Sequence, residues 1–251
     1  MFVLRYLITV VLINCTSLAF AQIPKHIFNE NSGEEFSFKN FTSTTKTLKQ
    51  RSGVYHFGES EGEWDLVVLS NNDSLIIQLW SGSWGKDHYT KKEAWLHSCT
   101  TFNTVTVNGN KFSFGKYSGQ FAEYKEEKTS ANTVLLFCDP IGERTYGKDS
   151  AELGFYSSPA ATFFDNKEYY QLSLAVQPDT YFAGKTKQQL KIMRNTILAK
   201  YGLLFQAGGE MEKYFRKKEW YKPFKKEVGD CLTTIEQKNI ATIIKLEQLL
   251  N

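Results

Sequence analysis

Proline is scarce in this 251-residue chain, with 5 residues, and cysteine is scarcer still, with 4. Each shortage closes off a class of protein. So little proline beside an aromatic share of 15% argues against disorder and predicts a well-filled globular core. The cysteines contain no Cys-x-x-Cys spacing, which removes a zinc module. No His-Glu-x-x-His, phosphate-binding glycine loop or dinucleotide fingerprint occurs, so no cofactor or metal is expected. Past the N-terminus no apolar run is long enough to span a bilayer.

What is present begins with an address. Arg5 precedes an apolar run from Tyr6 to Val11 that continues through Leu12, Ile13 and Leu18, and Ala19-Phe20-Ala21 supplies a small-x-small cleavage pattern. Residues 1–21 are therefore expected to be a signal peptide cut after Ala21, which sends the chain to the periplasm or beyond. A lipid anchor on Cys15 is not expected, because Asn14 stands where lipoprotein processing wants a small residue. Export leaves Cys99, Cys138 and Cys231, enough for one disulfide in an oxidising compartment. Cys99 and Cys138 fall in predicted strands of one domain and form the expected pair; the alternative is three buried thiols acting as small apolar residues.

From residue 53 to 178, after an N-terminal extension at 22–52, the periodicity is that of strands. Trp64 to Leu69 and Leu75 to Trp80 flank a cluster of turn formers and predict a hairpin. A second hairpin is predicted at Val105 to Phe114, where alternation surrounds Asn108-Gly109. Further strands are expected at Val54 to Phe57, Trp95 to Thr100, Thr133 to Cys138, Leu153 to Tyr156 and Tyr169 to Val176. Short strands joined by turns predict an antiparallel barrel or sandwich, since the connections are too short for crossover helices.

Turn formers between Gln177 and Lys185 mark a boundary, and a helical domain is expected over 186–251, making the chain α+β. Thr186 with Gln189 and Thr233 with Glu236 have capping-box spacing. Leu190, Met193, Ile197 and Tyr201 fall on one helical face, and Gly202 is placed to end that helix in the left-handed region. A short helix is expected from about Gly209 to Lys218, and a third runs on from Thr233.

The residues Leu190, Arg194-Asn195, Ile197, Ala199, Gly202, Phe205, Tyr214-Phe215, Trp220-Tyr221, Leu232, Glu236 and Asn239 resemble the YARHG domain, a small helical module of exported bacterial proteins. The likeness covers about 186–247. Leu198, Lys200 and Tyr201 replace the Tyr, Arg and His of the family's signature, so a role that needs an imidazole there cannot operate. The resemblance implies an accessory or binding module at the cell envelope, with no reaction attached to it.

Charge divides along the same line. From Lys187 onward 11 Lys and 2 Arg oppose 7 acidic residues (13 − 7 = +6), whereas from Gln22 to Thr186 14 Lys and 2 Arg oppose 20 (16 − 20 = −4). Such asymmetry points to different partners for the two parts, or to contact between them. The run Arg216-Lys217-Lys218 with Lys222, Lys225 and Lys226 suits an anionic envelope polymer, and is also what a solvated face looks like. Nucleic acid is disfavoured by export.

Other candidates carry two readings as well. Trp220 and Tyr221 fit glycan stacking or mini-core packing. Trp84, Tyr89 and Trp95 lie on a glycine-containing loop, which suits a sugar face or a packed sheet end. Arg194 is either a fork for an anion or the partner of Glu236 in a network with Asn195 and Asn239. Glu59, Glu61 and Glu63 crowd one turn, as glycosidase carboxylates or as solvated charge. His88, His97 and Cys99 match no familiar metal set. The expectation is a non-catalytic protein that binds an envelope polymer, a glycan or an exported protein; the alternative is a glycan- or peptide-acting hydrolase on the β scaffold.

Overall fold

The computed structural model describes residues 23–29, 33–59, 62–71, 73–125, 130–138, 149–164 and 167–250. The expected signal peptide, Cys15 and Glu61 lie outside these residues. The strands are β1 (His26–Phe28), β2 (Glu35–Ser37), β3 (Phe41–Ser43), β4 (Gly53–Phe57), β5 (Trp64–Asn71), β6 (Ser74–Lys86) and β7 (Glu93–Phe102), followed by β8 (Thr106–Asn108), β9 (Lys111–Phe114), β10 (Tyr117–Tyr124), β11 (Asn132–Phe137) and β12 (Ser150–Ser158). Six helices follow: α1 (Ala160–Phe164), α2 (Gln171–Leu174), α3 (Asp179–Phe182), α4 (Lys187–Lys200), α5 (Glu210–Phe215) and α6 (Thr234–Leu249).

All twelve strands belong to one sheet, ordered β7-β6-β5-β4-β12-β11-β10-β9-β8, with β1 and β3 added alongside β12 and β10 and β2 paired to β1. Pairing is antiparallel except for β1 on β12. This is the α+β arrangement the pattern predicts. The sheet is open, and its curl brings Phe102 of β7 within 4.7 Å of the ring of Phe114 in β9, centroid to centroid. The concave side holds an aromatic core that includes Tyr55, Phe57, Trp64, Phe112, Phe121 and Phe137, with Phe57 stacked on Trp64 at 3.9 Å.

β5 shows why its sequence is a nearly unbroken apolar run. Leu66 and Val68 enter the aromatic core, while Val67 and Leu69 face the helices. A strand covered on both sides cannot alternate apolar with polar. The convex side of β4 to β7 meets α1, α2, α4 and α6 in one continuous core, where Val67, Ile76 and Trp80 join Phe164, Leu172, Met193, Ile197 and Tyr201. Further along the sheet, β1 to β3 bring Ile27, Phe36 and Phe41 onto Ala122, Leu136 and Leu153.

The second hairpin forms with a one-residue offset: Asn108 pairs with Lys111, so Gly109 and Asn110 are the central residues. Gly109 has φ +62°, and Asn110 is not among the positive-φ residues. Positive φ at the first central position alone is the type II′ requirement. The predicted strand at Tyr169 to Val176 is instead α2. A short apolar run cannot distinguish strand from helix, and the deciding contacts come from α6. The Asn239 amide donates to the carbonyls of Leu172 (2.7 Å) and Ala175 (2.9 Å) and accepts from the Gln177 amide (2.9 Å). These bonds satisfy carbonyls that end a helical turn.

The three helices of the C-terminal module lie where the periodicity puts them. Both capping boxes close in both directions, Thr186 with Gln189 and Thr233 with Glu236. Gly202 takes φ +80°.

Candidate functional site

The stretch Lys200-Tyr201-Gly202 at the end of α4 is buried, and its polar atoms are spent on holding elements together. Glu236, the residue that closes the α6 capping box, is fully buried and accepts from Lys200 Nζ (2.5 Å), Ser173 Oγ (2.7 Å) and Tyr201 Oη (2.8 Å). Lys200 Nζ also lies 4.2 Å from the ring centroids of Phe164 and Tyr201, a cation against two aromatic faces. Tyr201 Oη accepts from Gln78 Nε2 at 2.6 Å, and that amide also donates to the Cys231 carbonyl (2.9 Å). Burial and the neighbouring carboxylate push the Tyr201 phenol well above its ordinary range, so it stays a donor. One cluster therefore ties α2, α4, α6 and β6. Its chemistry is that of a fastening.

Arg194 takes no part in it. Its guanidinium is bidentate on Glu247, with Nε at 3.3 Å and Nη2 at 3.2 Å, so its partner lies about three helical turns further along α6 than the expected Glu236, on much the same face. Asn195 donates to the Lys191 carbonyl at 2.8 Å. Asn239 serves α2 as described above.

The thiols also correct an expectation. Cys99 and Cys138 are not joined, and with Cys231 they stand outside any disulfide among the described residues. Cys99 is on β7 and Cys138 follows β11, with β6, β5, β4 and β12 between those strands in the sheet. At about 4.8 Å per strand that separation does not suit the short reach of a disulfide. Cys99 instead neighbours Cys231, whose Sγ lies 3.0 Å from the Cys99 carbonyl. Burial pushes the Cys99 thiol up, whereas the side-chain hydrogen bond from Cys99 lowers Cys231, helped by Lys225 at 3.3 Å. Under native conditions a bulky thiol reagent should label exposed Cys138 quickly and the buried pair only after denaturation. Peptide mapping of the labelled protein checks this, and native labelling of Cys231 would contradict the packing.

The turn between β6 and β7 meets the segment that follows α5 in a cleft of about 280 Å³. Asp87, Tyr89 and Thr90 form one wall; Arg216, Lys217, Lys218, Glu219, Tyr221 and Lys222 form the other. Asp87 shapes the turn by accepting from Thr90 N (2.7 Å), Thr90 Oγ1 (2.9 Å) and Tyr89 N (3.0 Å). The Thr90 amide, above all, holds this carboxyl below its usual range, with help from Lys222. The Arg216 guanidinium sits 4.8 Å from the Tyr89 centroid. Tyr221 is buried and donates to the Leu203 carbonyl at 2.7 Å.

The cations differ in availability. Lys218 is tied to Glu168, and that hydrogen bond raises its pKa. Arg216 has Glu212 at 3.9 Å. Exposed Lys217 has no acidic partner among the described residues. Four cations face two carboxylates, Asp87 and Glu219, in this cleft, and Lys222 already acts on Asp87; an anionic group can be accepted at Lys217, beside Lys222, while the tyrosines form an apolar side.

The remaining candidates are dispersed. Trp84 and Trp95 oppose each other across β6 and β7 with centroids 5.5 Å apart, and Trp84 is exposed. They share the hairpin but do not line the cleft. Trp220 packs against Phe215, 5.9 Å between centroids. Glu59 accepts from Asn29 at 3.4 Å, and Glu63 lies 3.9 Å from His56, whose other nitrogen is 2.9 Å from Asp65. Burial lowers the His97 pKa. Sequence reasoning named Tyr89, Tyr221 and the basic run separately but missed Asp87 and Thr90. Asp-x-x-Thr after a strand, an Asx-type turn, was the available signal.

A family model described as the YARHG domain matches residues 165–248. The match takes in α2 and α3 as well as α4, α5 and α6, and so begins earlier than the module resemblance read from the residues. Domains of this family are typically extracellular. No curated protein and no solved structure matches the chain. No helix among the described residues is long and apolar enough to cross a membrane.

Proposed function

We propose that this protein is exported and works at the cell envelope as a non-catalytic binding protein, with the cleft between the β6–β7 turn and the YARHG-like module as its site for an anionic polymer. The observation that carries this reading is Lys217, an exposed cation without an acidic partner among the described residues, beside Lys222 and two tyrosines in a formed cleft. The family match supports a location outside the cytoplasm, where phosphate- and carboxylate-bearing polymers are available. The signature residues support a non-catalytic role, since Lys200 and Tyr201 are consumed by Glu236.

The test uses the mature chain on immobilised poly(glycerol phosphate) and on uncharged dextran over a salt series. Retention on the polyanion at low salt, declining steeply as the Debye length shrinks, is the expected result. The double variant Lys217→Glu, Lys222→Glu should lose at least about tenfold in retention, because reversing two site charges turns attraction into repulsion. Equal retention of that variant, or equal retention on dextran, would sink the proposal.

A further inference from the structure

A second cavity, of about 540 Å³, lies over β8, β9 and β10. Its wall follows from strand register. Val107, Phe112, Phe114 and Phe121 point into the aromatic core, so alternate residues point the other way. Thr106 pairs with Ser113 and Ser113 with Ser118; Asn108 pairs with Lys111 and Lys111 with Gln120. Two cross-strand rows of hydroxyl, amide and ammonium groups result, and all six residues line the cavity.

Gln120 is the informative one. It is 2% exposed, and its Nε2 has no hydrogen-bond partner among the described residues. A buried amide donor left unmade costs free energy, and native folds seldom retain one without a reason. Here the donor belongs to a residue lining a formed cavity. No described residue uses it.

We propose that this face binds a saccharide, with Gln120 Nε2 donating to an acceptor oxygen on the sugar, either an acetamido carbonyl or a carboxylate. The two rows set hydrogen-bonding groups along one wall, as the hydroxyls of a sugar require, and Pro24, Cys138 and Asp149 add to the lining. Lys111 stands beside Gln120 in the same row, at the exposed rim, and adds a cation where a carboxylate would lie. This site is separate from the basic cleft and stands without it.

The experiment titrates the mature chain with the N-acetylglucosamine tetramer, with an oligogalacturonate and with maltotetraose, using ligand-observed NMR and calorimetry. Saturable binding of the acetamido or the uronate probe is expected, with maltotetraose much weaker. Gln120→Leu should weaken that binding about tenfold, the worth of one hydrogen bond, while the melting temperature holds or rises because an unpaired buried donor has gone. Lys111→Gln separates the sources: it weakens a uronate ligand and spares an acetamido one. Binding of neither probe would overturn the proposal. So would a Gln120→Leu protein that binds like wild type, the outcome expected if only water fills the cavity.

Discussion

Lys200→Ala is expected to destabilise the protein by about 3–5 kcal/mol, the usual result of removing one partner from a buried ion pair. For a chain of this size the melting temperature should fall by roughly 6–20 °C. The side chains of Lys200 and Glu236 are 3% and 0% exposed. Alanine at 200 leaves the Glu236 carboxylate in the core with Ser173, Tyr201 and the Thr233 cap as its remaining donors. It also strips the cation from the faces of Phe164 and Tyr201. Most of the penalty is the stranded charge, not the lost attraction. The double variant Lys200→Met, Glu236→Gln removes both charges at similar volume and should recover a large part of the loss. Thermal melts of the wild type, Lys200→Met, Glu236→Gln and the double variant form the cycle. Additive losses would mean that the pair does not act as a unit.

That cluster also shows where sequence reading stops. The capping boxes, the helix faces of α4 and α6 and the left-handed Gly202 are local properties, set by spacing within a few residues, and they were legible. Which residue Arg194 or Glu236 meets depends on how α6 crosses α4, and two acidic residues on α6, Glu236 and Glu247, were both compatible with the pattern. The crossing places Glu247 against Arg194 and leaves Glu236 for Lys200. In the same way, α2 is a helix because Asn239 satisfies its carbonyls, a contact made across more than sixty residues of chain. The aromatic supply and the basic run were each visible in the sequence. Their meeting as a cleft was not, since it needs the β6–β7 turn and the segment after α5 to fold against one another.

The same dependence makes Gly202→Ala the substitution that joins fold and site. Gly202 has φ +80°, and a methyl group added to it would lie 2.8 Å from the Phe224 ring and 3.0 Å from the Lys222 carbonyl. The left-handed backbone alone costs a non-glycine residue about 1–2 kcal/mol. Overfilling a packed position adds about 1–3 kcal/mol. Relief requires the 222–225 segment to move, and that segment is held by two bonds to the Gly202 carbonyl, from Phe224 N and Lys225 N, each 2.9 Å. Lys222 and Tyr221 are walls of the basic cleft. Gly202→Ala should therefore lower the melting temperature and weaken polyanion retention together, with helix content kept. Gly208 is the internal comparison: its φ is +72°, but nothing lies within 4 Å of an added methyl group. Gly208→Ala should show the backbone cost alone and retain the polymer as wild type does. If both alanine variants melt alike and bind alike, the close approach of Phe224 and Lys222 to Gly202 neither costs stability nor positions the cleft.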